Sequence, residues 1–394
     1  MSEISGSIAV WCKPANGAQS EIEAHFNYWH MTGDAQFKPT DGSKAVDFIE
    51  IGVLLDDPWT VEAIKIYLPI KVDRSSIEDC STYFQEVSIA QGIFNEVLAT
   101  AGPKAIGPKF IELSRGGGHT FARVHEFALD GKSLCRQEVL LEDKGDGTII
   151  TISEVALKEA RDAATSSGRS YFRLRAYFRN GQSNPFIRTI STPDKLLQSS
   201  YDEIEYLDFR VNEARTLPDT IEQAMRIDRR IGEVKVKLIA FLTAVPVKSD
   251  LTTQSSQSHK MRLLEHKLWK NYVRGEIPIG MMVYHWKREA QRTHAGSASV
   301  AQEVTDFTAF VKLSTKRASK KIWLAYLIVT FLIGLLGNLL AGYIQNIIAN
   351  RDISRSVQTM PSVNDGSRAS AEADANTSAP GTVPTAKNMI KSGE

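Results

Sequence analysis

From residue 7 onward, apolar and polar positions alternate in short runs: residues 7–12, 21–29, 46–55, 60–72, 109–114, 119–127, 135–142 and 148–152. A period of two sends successive side chains to opposite faces of a strand, and these runs are rich in β-branched and aromatic residues. Asn16-Gly17, Asp41-Gly42, Gly116-Gly117-Gly118, Asp130-Gly131, Asp146-Gly147 and Asn180-Gly181 separate them with turn chemistry. Two helices interrupt the strands. One is predicted over 91–100, and the other opens at a Ser153 N-cap and runs through Val155, Ala156 and Ala160 towards Gly168. The expectation for residues 1–195 is an α+β fold, β-rich, built as an antiparallel sandwich or distorted barrel with helical insertions.

The rhythm then changes. Over 196–250 it reads strand, helix, strand, with the helix opening at Pro218-Asp219 and capped by Gly232, either a subdomain or a continuation of the first sheet. A Gln/Ser-rich stretch, 252–258, leads into Met261, Leu264, Leu268 and Tyr272, spaced three and four apart, beside Arg262, His266, Lys270 and Arg274. That spacing predicts a basic amphipathic helix, so residues 251–321 read as a helical stalk next to a membrane.

The membrane itself is written into 322–344, twenty-three residues without a charge. At about 1.5 Å per residue they cover a hydrocarbon core of about 30 Å. Thirteen are Leu, Ile, Val or Phe, together worth about −4 to −8 kcal/mol of insertion free energy. A single transmembrane helix over 322–348 is predicted. Lys312, Lys316, Arg317, Lys320 and Lys321 precede it, whereas Arg351 and Arg355 follow with Asp352 between them. The positive-inside rule then places the large N-terminal part in the cytoplasm, with a bacterial inner membrane favoured. Gly334, Gly337, Asn338, Ala341 and Gly342 share one helical face of small and polar residues, which predicts close packing against a second copy. Residues 349–394 lack aromatic side chains and are rich in Ser, Ala, Thr and Pro, the composition of a disordered tail.

Composition and charge refine this picture. Of 394 residues, 42% are hydrophobic and 24% charged, which excludes a polytopic membrane protein. Forty-seven basic against 46 acidic residues give +1, but the sum hides a segregation. Residues 1–257 hold 29 basic and 36 acidic side chains, a net −7, while 258–321 hold 13 and 5, a net +8. The basic part faces an anionic leaflet best, through Arg262, Lys270, Arg274, Lys316, Arg317, Lys320 and Lys321, and nucleic acid is not an expected partner. Cys12, Cys80 and Cys135 are odd in number and widely spaced, without metal-type pairing, which fits a reducing compartment.

The chain carries no GxSxG, HExxH, GxGxxG or cysteine metal cluster, so no catalytic residue, cofactor or metal is expected. His125-Glu126 opens like a zinc-protease sequence, but Leu129 stands in place of the second histidine. One constellation carries recognition chemistry. The run 170–179, SYFRLRAYFR, puts Phe172, Leu174, Ala176 and Phe178 on a core face and Tyr171, Arg173, Arg175, Tyr177 and Arg179 on the other. Arginine forks interleaved with tyrosine rings grip phosphate or carboxylate and stack on flat groups, which points to an anionic ligand, a nucleotide or an acidic peptide. The plainer expectation pairs these arginines with Glu203, Glu205 and Asp208 on neighbouring strands. The whole reads as a membrane-anchored cytosolic recognition protein, a sensor, scaffold or effector that self-associates through its span. Its layout resembles bacterial defence effectors by architecture alone. The alternatives are a membrane-tethered enzyme whose site is scattered in sequence, and a binder of anionic lipid or nucleic acid through the basic stretch.

Overall fold

The computed structural model describes residues 6–33, 44–101, 110–163, 168–179, 183–190, 202–273, 276–295, 298–316 and 320–357. In chain order the first half contains β1 (Ser7–Pro14), β2 (Gln19–Trp29), β3 (Phe48–Leu55), β4 (Val61–Leu68), β5 (Ile77–Asp79), α1 (Val87–Phe94), β6 (Ala99–Ala101), β7 (Phe110–Ser114) and β8 (Thr120–His125). There follow the short hairpin β9 (Leu129–Asp130) and β10 (Ser133–Leu134), then β11 (Val139–Lys144), β12 (Gly147–Ile152), α2 (Glu154–Ala163) and β13 (Ser170–Tyr177). The second half adds β14 (Ile187–Ile190), β15 (Asp202–Val211), α3 (Asp219–Arg229), β16 (Glu233–Pro246), β17 (Ser249–Gln254), β18 (Lys260–Leu263) and α4 (His266–Trp269). It ends with β19 (Met281–Glu289), β20 (Arg292–Ala295), β21 (Ala298–Ala301), β22 (Phe307–Lys316) and α5 (Lys320–Val357). Strand makes up 45% of the described residues, so the molecule is β-rich.

Residues 1–322 form one compact unit with two large sheets. The first runs β11-β12-β4-β1-β15-β22-β17, with β14 also on β15; the second runs β18-β19-β16-β2-β3-β13-β8-β7-β6, with β5 also on β13. Both are mixed. β1 runs parallel to β15, β2 to β16 and β8 to β13, where the alternation had pointed to antiparallel pairing. Turn residues announce hairpins, and these parallel partners meet only through long connections.

The two sheets share one hydrophobic core. Every second residue of β2, namely Ile22, Ala24, Phe26 and Tyr28, enters it. Phe209 of β15 stacks on Phe241 of β16 with ring centroids 3.8 Å apart, joining the sheets directly. The Ser153 cap forms as predicted, its Oγ accepting from the Val155 N–H at 3.2 Å. The first helix begins earlier than expected and stops at Phe94, because Asn95 takes a left-handed conformation, φ 53°, that ends the helix.

The helical stalk is corrected. Residues 260–263 pair with β19 as an edge strand, and among the described residues of 251–316 helix is confined to the single turn of α4. Met261 and Leu268 of the expected stripe are exposed, while Leu264 and Tyr272 are buried. β22, also assigned to the stalk, lies between β15 and β17, with Phe307, Ala309, Val311 and Leu313 all in the shared core. Its basic residues had masked a period of two.

The 38-residue α5, which belongs to the second unit from Trp323 onward, contains one stretch, Tyr326–Arg351, that is long and apolar enough to cross a membrane. Helix continues through 349–357, residues expected to belong to the tail, and the remainder of that tail lies outside the described residues.

A buried ion pair also bridges the sheets. His30, just past β2, places Nδ1 2.9 Å from Asp47 Oδ2 and Nε2 3.2 Å from Oε2 of Glu205 on β15. Burial would discharge this imidazole, but the charges of Asp47 and Glu205 and their hydrogen bonds outweigh it and hold its pKa up at about 10. A raised histidine pKa stabilises fully below the unfolded value of about 6.5, and the contribution is lost as pH rises to the folded value. Denaturant unfolding of the full chain in detergent is therefore expected to show stability falling between pH 7 and about 10. His30→Gln should flatten that part of the profile; an unchanged slope in the variant would contradict the assignment.

Candidate functional site

The face of β2 opposite the shared core carries Glu23, His25 and Asn27. Parallel pairing brings Leu238, Ala240 and Leu242 of β16 opposite them, and β19 adds Val283, His285 and Lys287. The edge strand β18 contributes Lys260 and Arg262, with His259 just before it. The end of α1, residues 92–96, and Phe121 of β8 close the other side, leaving a cleft of about 190 Å³. Its floor is aliphatic and its rim holds three histidines, three permanent cations and the rings of Phe94 and Phe121, a composition of apolar walls with convergent polar groups.

Lys260, Arg262 and Lys287 outnumber the two carboxylates of the lining, Glu23 and Glu96. His285 is pushed down to about 4, first by burial and then by His259, His25, Lys287 and Lys260 around it. It is therefore neutral at pH 7 and offers either a donor or an acceptor. His25 is also lowered, by burial and by the charges of Arg173 and Arg169 against the opposing pull of Glu23. Glu23 resists its own burial because His25, Arg169 and Lys237 surround it, and its pKa falls to about 2. Lys260 Nζ donates to Asn95 Oδ1 at 3.1 Å, a neutral partner that leaves the ammonium charge uncancelled by that bond. Two of the cleft's cations also have carboxylate neighbours, Arg262 Nη1 lying 3.5 Å from Glu265 Oε1 and Lys287 pairing with Glu289. A wider groove of about 560 Å³ lies beside α3, where Arg215, Arg226 and Arg229 hold the carboxylates of Glu213, Glu222 and Glu303 respectively.

The arginine–tyrosine run lies on the same face as the cleft, two strands further along. Phe172, Leu174, Ala176 and Phe178 enter the shared core as the alternation predicted. The opposite face was expected to meet ligand and is instead covered. Arg173 and Arg175 are both 0% exposed, beneath α1, Tyr83, Trp269 and Tyr272, and their partner is Glu50 on β3 rather than Glu203, Glu205 or Asp208. Arg173 Nη2 donates to Glu50 Oε2 at 2.5 Å; Arg175 donates to Oε1 through Nε at 2.9 Å and Nη2 at 2.6 Å. The Tyr272 hydroxyl donates to Oε2 at 2.8 Å. A second carboxylate balances the charge, as Glu78 accepts from Tyr177 and Tyr83 and lies 3.6 Å from Arg175 Nη1. Burial opposes ionisation of Glu50, but the two guanidiniums outweigh it and lower its pKa.

This buried network is the back wall of the cleft. With its amide oxygen turned towards Arg173, Asn27 accepts from Nη2 at 2.7 Å, and the Tyr171 hydroxyl lies 3.4 Å from His25 Nδ1. Gly52, between His25 and Arg173 in register, makes the contact feasible, since a Cβ there would overlap the Tyr171 hydroxyl.

The other expected residues scatter. Arg179 pairs with Asp73 at the surface. Arg262 lies on the cleft rim, and Lys270 is exposed after α4. Lys316 ends β22 opposite Asp202, and Lys320 and Lys321 open α5. Arg274 and Arg317 lie outside the described residues. Gly334, Gly337, Asn338, Ala341 and Gly342 lie exposed on α5. Glu23, His25, His259 and His285 carry no local pattern that singles them out in the sequence. The alternation of β2 was the available signal; its parallel partner β16 gave none.

No protein-family model matches the chain, nor does any curated protein.

Removing one member of a buried ion cluster leaves the others uncompensated, at a cost of about 3–5 kcal/mol. Glu50→Gln keeps the shape but strands two guanidiniums. Chemical unfolding of the full chain in detergent should show a loss of that order, or no folded protein at all. A variant as stable as the parent would show that the arginines do not depend on Glu50.

Proposed function

We infer that this chain is a single-pass, membrane-anchored recognition protein whose β-rich unit, built as a two-sheet sandwich, binds a small anionic ligand in the cleft above β18, β19, β16 and β2. The observation that carries this reading is the convergence of His25, His259, His285, Lys260, Arg262 and Lys287 on one apolar-floored cavity. Cations at the rim and a neutral, desolvated imidazole inside favour a phosphate or carboxylate. Phe94, partly exposed at the cleft and backed edge-on by the buried Phe121, supplies a flat surface on which a base stacks, which makes a nucleotide the ligand class of choice over an acidic peptide. Arg173 and Arg175 serve this site from behind, fixing Asn27 and His25, rather than touching ligand.

In the proposed arrangement α5 spans the membrane with the β-rich unit on the cytoplasmic side, in keeping with the Lys/Arg excess before the span. Its Gly337 and Asn338 face is the contact for a second copy, so occupancy of the cleft and clustering in the bilayer are two parts of one sensor or effector. Lipid attraction is assigned to Lys320 and Lys321 at the helix start, because Arg262, Lys287, Arg288, Lys312 and Lys316 of the basic stretch lie in β18, β19 and β22.

Isothermal titration of the purified full chain with a mononucleotide such as AMP is expected to give saturable binding. Lys260→Ala combined with Lys287→Ala should weaken it on the order of tenfold or more, each lost charge-assisted bond being worth about 1.5–3 kcal/mol. Affinity untouched by the double variant would remove the cleft from the proposal. For the anchor, deletion of 320–357 should move the chain from the membrane fraction to the soluble one, and Gly337→Leu with Asn338→Leu should abolish cross-linked dimers in membranes.

A further inference from the structure

A second cluster lies away from the cleft. His125 ends β8, Glu138 immediately precedes β11, and Glu159 lies in α2; one ligand-type atom from each falls within 4.8 Å of the others. Their separation in sequence hides the set, since His125-Glu126 offers by itself no more than the opening of a zinc-protease pattern. His125 and Glu138 are 3% and 2% exposed, while Glu159 is accessible to solvent.

We propose that His125, Glu138 and Glu159 bind a zinc-class divalent cation, with water completing its coordination from the solvent side. The spacing is the first argument. His125 Nε2 and Glu138 Oε2 are 3.4 Å apart, longer than the roughly 2.7–2.9 Å of a charge-assisted hydrogen bond. Two donors each about 2.0–2.1 Å from a tetrahedral zinc are separated by about 3.4 Å. Charge is the second argument. The buried Glu138 carboxylate is met by one imidazole and by the Ala128 N–H at 3.1 Å, and a cation held between two glutamates supplies the compensation that burial demands. Supporting contacts are the third. The Ala128 N–H orients the Glu138 oxygen, and the rings of Phe127 and Phe172 pack on His125 with centroids 5.0 and 5.2 Å away, forming an apolar wall. The Ser153 N–H donates to the Glu138 carbonyl at 2.8 Å, so the segment bearing Glu138 is tied to the start of the helix bearing Glu159. One imidazole with two carboxylates and an open position is a donor set suited to zinc.

The test uses the full chain without a histidine tag, purified in detergent, stripped with chelator and titrated with Zn²⁺ alone. Saturable binding of one ion per chain is expected. Glu159→Gln should weaken it on the order of tenfold or more while leaving the metal-free unfolding midpoint unchanged, since that side chain is solvent-accessible. Glu138→Gln, which disturbs a buried group, is the harsher variant and is read only alongside Glu159→Gln. Co²⁺ substitution should give visible bands that Glu159→Gln alters. Absence of saturable Zn²⁺ binding, or binding that Glu159→Gln leaves unchanged, overturns the site; tighter binding of Mn²⁺ than Zn²⁺ overturns the choice of ion.

Discussion

Two guanidiniums buried on one strand face need negative charge at the same depth, and Glu50 supplies it. A buried charge without a partner costs several kcal/mol, so Arg173, Arg175 and Glu50 stand or fall together. This requirement organises the outer face of the second sheet. β3 must lie beside β13 in the register that puts Glu50 opposite Arg175, and Gly52 opposite Arg173 leaves room for the Tyr171 ring. Tyr272 must return from beyond α4 to donate to the same carboxylate, carrying Trp269 with it as a lid. Phe48, Tyr83 and Tyr272 then sit within 5.1 Å of the Arg175 guanidinium, so the charge is screened by ring faces as well as by carboxylate.

The proposed cleft borrows this rigidity. His25 and His285 stand on β2 and β19, whose opposite faces lie in the shared core, and the back wall of the cleft is a hydrogen-bonded network that leaves little freedom to Asn27 and His25. A site on sheet residues is held more firmly than one on loops. The accessible cations at its rim belong to β18 and β19, at the edge of the same sheet, where a ligand meets them without moving the fold.

Much of the first half was legible in the sequence. Strand alternation gave the two faces of β13 correctly, the Ser153 cap marked the start of α2, and the apolar run marked the membrane-competent helix. The face of β13 opposite the shared core was misread for a physical reason. Alternation tells which residues share a face, and it does not tell what covers that face. Arginines are most often at the surface, and only the lid of α1, Tyr83, Trp269 and Tyr272 places these two inside. The supposed stalk failed in the opposite way. Lys287 and Arg288 at the end of β19 and Lys312 and Lys316 of β22 read as a basic helix surface, whereas Tyr284, Trp286, Phe307, Ala309, Val311 and Leu313 of the same strands fill the core.

What the sequence determined by itself is therefore local: strand period, turns, caps, and one helix long and apolar enough for a bilayer, all set by neighbours a few residues apart. The tertiary structure decided the rest, because a charge or a histidine acquires its role from groups far along the chain. Glu50 finds Arg175 across 125 residues, Tyr272 finds Glu50 across 222, and β2 finds β16 only by parallel pairing. Parallel partners carry no turn signal, and burial of a charge depends on closing the structure over it, so neither is written in any short stretch of sequence.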